Sequence, residues 1–455
     1  MKPRRDLTEG SILKNLVMLS APIVLGMFLQ SAFNIIDTIF VGMLGAEALA
    51  AVSLTFPVVF IFIALASGLS VGATVMVSKN IGRKNMQRAA NAAEHALLLG
   101  AATGIAIAVM GILFSEPIFV FMGAEGNVLS LTVEYPRLIF IGFAFMFVGF
   151  IGQGILQAEG DSKTPFKFNF IAVLLNIILD PIMIFGLFGF PALGITGAAL
   201  ATVIARSVGA ALVIAFLYLG KAQTKIELSP KYFRFNPEIA AKIFRLGVPA
   251  SFGNVINSLG MMLMMSLVAG FGSFAIAAYG VGLRIDSIAV MPVVGVMSAL
   301  VAITGQNLGA EKPERIGKTL KVAIIGVSAL MLAAAAFMVA FPDFFFRIFT
   351  AEQEVIRLGA AYLSIVALGY TFRGIAMLIV AVFQGAGRTT LSAALMALDW
   401  AIILIAAFFM RGLFGLEGIW WGIVGGVVLF SLAAGILYKT GVWMPKDLNK
   451  IKPKE

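Results

Sequence analysis

Charged and polar residues come in short bursts along this chain, separated by long apolar runs. A helix that crosses a bilayer needs about 20 mostly apolar residues. Twelve runs meet that length: 14–40, 49–78, 89–114, 130–157, 165–186, 194–219, 242–270, 277–305, 318–341, 357–384, 390–411 and 417–439. Backbone inside lipid must satisfy its own hydrogen bonds, so the runs predict helices. A barrel would show alternating segments of about ten residues, and these runs are longer and do not alternate. The pattern therefore predicts an all-α polytopic membrane protein with twelve transmembrane helices in two pseudo-symmetric six-helix bundles.

The pattern is also written twice. Leu19, Pro22 and Gly26 recur as Leu246, Pro249 and Gly253, an offset of 227 positions. At the same offset, without a gap, Gly45 recurs as Gly272, Asn80 as Asn307, Gln157 as Gln384 and Gly160 as Gly387. The stretch 220–236 breaks the pattern with Lys221, Lys225, Lys231, Arg234 and Pro230. This predicts an N-terminal six-helix lobe over 1–219, a cytoplasmic linker over 220–241, and a C-terminal six-helix lobe with a cytoplasmic tail over 242–455. Six is even, so both copies start on the same side. Parallel repeats of this kind mark many transporters, whose substrate site lies between the repeats.

Composition sharpens the picture. Only 12% of residues are charged, against about 25% in soluble domains. Of 33 Lys and Arg, 26 fall on the side of the amino terminus. Four, Arg137, Arg347, Arg357 and Arg411, fall in the opposite loops. That split predicts both termini in the cytoplasm of a cell (inner) membrane protein, and it accounts for the net charge of +10 without nucleic acid. Met1 to Leu16 is basic and then amphipathic, with no small-residue cleavage site, and is expected to be retained. Cys is absent and His95 is the single histidine, which excludes disulfides and thiolate or His-rich metal sites. No Walker-type run is present, so no nucleotide, cofactor or enzymatic activity is expected.

The chemistry should reside in polar residues within the runs. Asp37 lies in the first run and Asp180 in the fifth. A carboxylate in hydrocarbon costs several kcal/mol unless protonated, paired or hydrated. Asn176 shares a helix face with Asp180, and Asn34 with Asp37. Pro181 removes a backbone donor and is expected to act as a hinge. Gln30, Gln153 and Gln157 add polar atoms, and Thr202 a further oxygen. Two acids with amide and hydroxyl oxygens suit a hard monovalent cation or an exchangeable proton. A sodium ion at Asp37, Asn176, Asp180 and Thr202 is thus one expectation. The competing reading pairs each acid with a basic side chain, Arg206 being the obvious partner for Asp180.

The acids are not repeated: the offset places Met264 and Ala407 opposite Asp37 and Asp180. The second half carries its own charges, Arg284, Asp286, Arg373 and Asp399. Arg373 with Asp399 reads equally as a structural pair or a substrate contact. Asn254, Asn257, Asp286 and Met261 are candidate substrate- or cavity-lining residues, with Asn34, Gln30, Gln153 and Gln157 from the first half, and Met261 opens a methionine-rich run that suits varied ligands.

From end to end the chain resembles the multidrug and toxic compound extrusion (MATE) family, and within it the prokaryotic DinF-like branch. The residues that carry the likeness are Ala21-Pro22-Ile23, Asn34 to Asp37 with Gly42, Leu49-Ala50-Ala51, and Gly72 through Asn80-Ile81-Gly82. Gln157-Ala158-Glu159-Gly160-Asp161, Asn176 to Asp180-Pro181, and Thr304 to Gly309 complete the set. The resemblance implies a V-shaped pair of six-helix lobes and alternating access. It implies export of varied, often cationic organic compounds, driven by sodium or protons. In such proteins acids matching Asp37 and Asp180 couple to the ion, and Asn176 and Thr202 match positions that complete the cation site. Gln153 stands where some relatives carry Asn. Coupling is expected to run through the first lobe alone. The expected partners are small organic substrates and membrane lipid. A flippase for a lipid-linked precursor would need a cationic cavity, and Arg206, Arg284 and Arg373 are few and scattered. A channel should repeat its polar filter in both halves, which this chain does not.

Overall fold

In the computed structural model, residues 6–219, 226, 228 and 233–444 are described. Lys2, Arg4, Arg5, most of the basic linker and the tail beyond 444 lie outside them. Fourteen α-helices follow one another among the described residues, with two short 3-10 turns. They are α1 (Ile12–Gly42), α2 (Ala46–Gly82), α3 (Met86–Phe121), α4 (Gly126–Ile141), α5 (Phe143–Ala158), α6 (Lys163–Phe185), α7 (Ile195–Tyr218), α8 (Pro237–Ala269), α9 (Ser273–Gly309), α10 (Pro313–Ala340), α11 (Pro342–Arg347), α12 (Gln353–Val366), α13 (Tyr370–Gly385) and α14 (Thr389–Lys439).

Among the described residues ten helical stretches are long and apolar enough to cross a bilayer, α12 with α13 counting as one. The pair α4 and α5, bent by 46°, makes another. Helix α14 holds two spans joined at Gly415, whose φ of 61° and ψ of −135° break the helix. Only glycine takes that conformation readily. The twelve expected spans are thereby accounted for.

The duplication is visible in the backbone as well as in the sequence. Gly45 and Gly272, which precede α2 and α9, share an unusual extended turn, with φ of 111° and 95°. Lys84 and Glu311 hold matching left-handed conformations at φ of 58° and 57°. The offset does not stay at 227, however. Gly194, before α7, has φ 59° and ψ −133°, nearly the values of Gly415, and these two are 221 positions apart. A methyl group on Gly197 would overlap the Met183 carbonyl, and one on Gly418 would overlap that of Met410. Met183 and Met410 keep the 227 offset, so the second copy has lost six residues in the loop between. The expectation of a gapless repeat holds up to that loop and fails after it.

The contacts group the chain into two units. The first comprises Met1–Asp6 with Leu25–Ser251, the second Leu7–Val24 with Phe252–Glu455. The changeovers therefore fall inside α1 and α8, at Val24/Leu25 and Ser251/Phe252, again 227 residues apart. Within the first unit α6 packs along α7, and α5 packs against α2, α3 and α7. Its core runs from Val41 through Phe140, Phe143 and Phe147 to Ile243. In the second, α13 packs against α9, α10 and α14. Its largest buried side chains include Tyr279, Tyr362 and Trp420, with Tyr279 stacked on Trp420 at 5.7 Å.

The segment ahead of α1 is tied to the second unit. Leu7 N–H donates to Gln306 Oε1 at 3.2 Å, and Asn307 Nδ2 donates to Leu7 O at 3.3 Å. Arg315 donates to the carbonyls of Leu7, Glu9 and Gly10. In the first unit, Asn236 N–H donates to His95 Nε2 at 2.6 Å. His95 Nδ1 lies 2.7 Å from Asn91 O. His95 is thus part of the structural scaffold.

Candidate ion-coupling site

Asp180 and Asn176 lie one turn apart on α6, and both are buried, at 0% and 1% exposure. Asn176 Nδ2 donates to Asp180 Oδ1 at 3.2 Å and to Thr202 Oγ1 of α7 at 3.4 Å. Both amide hydrogens being directed there, the Asn176 carbonyl oxygen is left as an acceptor. Three acceptor oxygens here, Asp37 Oδ1, Asn176 Oδ1 and Asp180 Oδ2, are buried without a hydrogen-bond donor. Buried polar atoms are nearly always satisfied, and a cluster of unsatisfied acceptors is what a cation or a proton would fill. Pro181, within α6, has no N–H, so the Ile177 carbonyl also loses its helical donor.

The charge on Asp37 is felt at Asp180, at Arg206 and at Tyr135 of α4. Arg206 makes no ion pair with Asp37 or Asp180. Its guanidinium lies over the Phe33 ring, 5.7 Å from the centroid. The pairing of Asp180 with Arg206 is therefore not what the chain adopts. Two acids and one arginine leave this cluster with one formal negative charge.

Other candidates are placed differently. Gln30 Nε2 donates to Asn34 Oδ1 at 3.1 Å on the exposed side of α1. Gln153 and Gln157 are half-buried on α5. Gly154 between them lies so close to Ser70 and Thr74 that a methyl group there would overlap both hydroxyls. Asn254 is half-buried, and its carbonyl accepts from Ser258. Asn257 Oδ1 accepts from Trp400 Nε1 at 3.1 Å, and its amide nitrogen lies 3.8 Å from Met261 Sδ. Arg373 Nη1 meets Asp399 Oδ2 at 3.1 Å. Asp286, on α9, accepts hydrogen bonds from the hydroxyls of Tyr362 and Tyr370.

The MatE family profile matches residues 22–182 and 249–408, one copy on each half of the repeat. The chain belongs to the MatE family.

Relatives within MatE extend over almost the whole length. The probable multidrug resistance protein YoeA of Bacillus subtilis is 30% identical, covering 98% of this chain and 97% of its own. The multidrug export protein MepA of Staphylococcus aureus is 27% identical over 94% of each chain. A MATE family multidrug resistance transporter of the MOP superfamily, solved in an outward-facing conformation, matches with a TM-score of 0.90 and 29% identity over 98% of both chains. The prokaryotic branch of the resemblance agrees with these relatives.

Sequence reasoning missed three features of this MatE chain. Tyr135 sits within the field of both acids, but its neighbours Glu134, Pro136 and Arg137 mark it as the end of a span and do not point to them. The tyrosine cradle of Asp286 joins residues 76 and 84 positions apart. The contact of Trp400 with Asn257 spans 143. The only available signal was the rarity of Asp and Trp inside apolar runs.

Proposed function

We propose that this chain is a cation-coupled antiporter that exports varied organic compounds, often cationic, across the cell membrane. Its membership of MatE and its similarity to multidrug exporters support the class. The observation that carries the coupling role is the set of three buried, unpartnered acceptor oxygens on Asp37, Asn176 and Asp180, beside Thr202.

A sodium ion would be held by these oxygens, since hard cations prefer carboxylate and carbonyl donors. A proton would instead sit on one of the two carboxylates. Either ion brings one positive charge to a cluster carrying one excess negative charge. Loading then changes the electrostatics where α6 contains Pro181, and the α6–α7 packing is the element that responds. Export requires ion and drug to favour different states of the protein, because equal affinity for both shifts nothing. Alternating access, with both termini cytoplasmic, is the cycle this implies. The excess of acid over base in the cluster of Asp37, Asp180 and Arg206 disfavours a phosphate-bearing lipid as cargo.

Drug efflux from cells expressing Asp37→Asn tests the proposal. Loss of efflux with normal membrane expression is expected, and unimpaired efflux would remove Asp37 from the mechanism.

A further inference from the structure

The second unit holds an acid–arginine cluster of its own, built from residues that the repeat does not supply. Asp286, Arg373 and Asp399 stand opposite Val59, Met146 and Ala172 at the 227 offset. The field of Arg373 reaches both Asp286 and Asp399. Both Asp286 oxygens accept tyrosine hydroxyls, the arrangement that suits an ionised carboxylate, which has only acceptors. Two carboxylates about one guanidinium leave one negative charge uncompensated.

The acceptor that this cluster leaves open is on Asp399. Arg373 meets its Oδ2 through a single nitrogen at 3.1 Å, while Asp399 Oδ1 is buried with no donor. A guanidinium can serve both oxygens of a carboxylate at once, and here it does not. It lies instead over the Trp400 indole, 5.7 Å from the centroid. Trp400 is held in place through its Nε1–H to Asn257. Arg373 therefore occupies a carboxylate and an aromatic face together, which are the two features that recognise a planar organic cation. The pair is not sealed, since the Arg373 side chain is 27% exposed and that of Asp399 13%. Beyond Asn257, Met261 borders an open apolar recess of about 390 Å³, shared with Met262, Met265, Ser266, Ala269 and Leu283. Methionines adapt to the apolar parts of varied ligands.

We propose that Asp399, Trp400 and Asn257 form an organic-cation subsite in the second unit, and that Arg373 is its internal occupant until a ligand displaces it. The ligand N–H or cationic ring takes the free Asp399 oxygen and the indole face, and its apolar body lies toward Met261. This rests on the reading of the chain as an exporter of organic cations, and it divides the work between the units. The inorganic ion loads at Asp37 and Asp180, the organic one at Asp399.

The test is equilibrium binding of ethidium, a planar monocation, to the purified full-length protein in nanodiscs without any ion gradient. Fluorescence anisotropy reports the affinity. Arg373→Gln removes the internal competitor and is expected to tighten binding by roughly three- to tenfold. Asp399→Asn is expected to weaken it by about tenfold or more, and Trp400→Leu by roughly fivefold. Asp399→Asn strands a guanidinium and endangers the fold, so the gain in Arg373→Gln is the decisive arm, as damage does not tighten binding. Unchanged or weaker binding in Arg373→Gln overturns the subsite, as does preferential binding of an anionic dye that this variant loses. Wild-type binding that no variant alters removes the subsite and leaves the exporter reading standing. No binding by wild type or Arg373→Gln overturns both.

Discussion

Asn176 directs its amide toward Asp180, Nδ2 to Oδ1 at 3.2 Å, and in doing so leaves its own carbonyl oxygen and the second Asp180 oxygen buried without donors. In a purely structural pair the amide and the acid would satisfy each other and be finished. Here the hydrogen bond holds one oxygen of the acid and leaves the other open. The same amide nitrogen reaches Thr202, which ties α6 to α7 at the point where an ion would arrive.

Replacing Thr202 with Val removes one oxygen but keeps the side-chain shape. The coupling ion should bind roughly three- to tenfold more weakly, the worth of about one hydrogen bond or ligand contact. Transport at saturating ion should survive. A concentration series of the coupling ion against transport rate separates this from loss of the site, which would abolish transport at every concentration.

Arg206 is set over Phe33 and pairs with neither acid. Arg206→Gln should therefore fold and insert normally. Its loss removes a positive charge from the field at Asp37, so apparent cation affinity should rise a few-fold. A variant that fails to accumulate in the membrane would show that Arg206 is a structural ion-pair partner after all.

Gly197 packs the start of α7 against the Met183 carbonyl. Gly197→Ala forces α6 and α7 apart and should destabilise the protein by about 1–3 kcal/mol, read as a melting temperature several degrees lower. Gly412→Ala, where nothing lies within 4 Å of the added methyl, should melt like the wild type. Equal melting of the two variants would contradict the close α6–α7 contact.

These positions show how unevenly the sequence discloses the molecule. The twelve spans follow from run length alone, because lipid leaves the backbone no alternative to helix. The repeat is legible in paired Pro, Asn and Gln residues. Its six-residue shortening is not, since the Gly194–Gly197 and Gly415–Gly418 pairs are too short a pattern to set the register without their backbone conformation. Asp37, Asn176 and Asp180 stand out as polar residues in apolar runs. Which basic residue they avoid is set by the placement of Phe33, and no local pattern encodes that.

The segment before α1 is held by Arg315, which donates to the carbonyl groups of Leu7, Glu9 and Gly10. Arg315→Ala should accelerate amide exchange over residues 7–12 by roughly tenfold, the consequence of losing hydrogen bonds to a charged donor. Exchange over α6 should not change. Identical exchange at residues 7–12 in the two proteins would show that Gln306, Asn307 and Lys312 hold the segment without Arg315.

The decisive measurement is transport of an organic cation in proteoliposomes, with sodium and proton gradients imposed separately, for wild type and Asp180→Asn. The wild type should move substrate against its gradient when one of the two ion gradients is applied. Asp180→Asn, correctly folded and reconstituted at equal density, should lose that driven flux by at least about tenfold. Gradient-driven accumulation by Asp180→Asn at the wild-type rate would contradict ion coupling at this cluster.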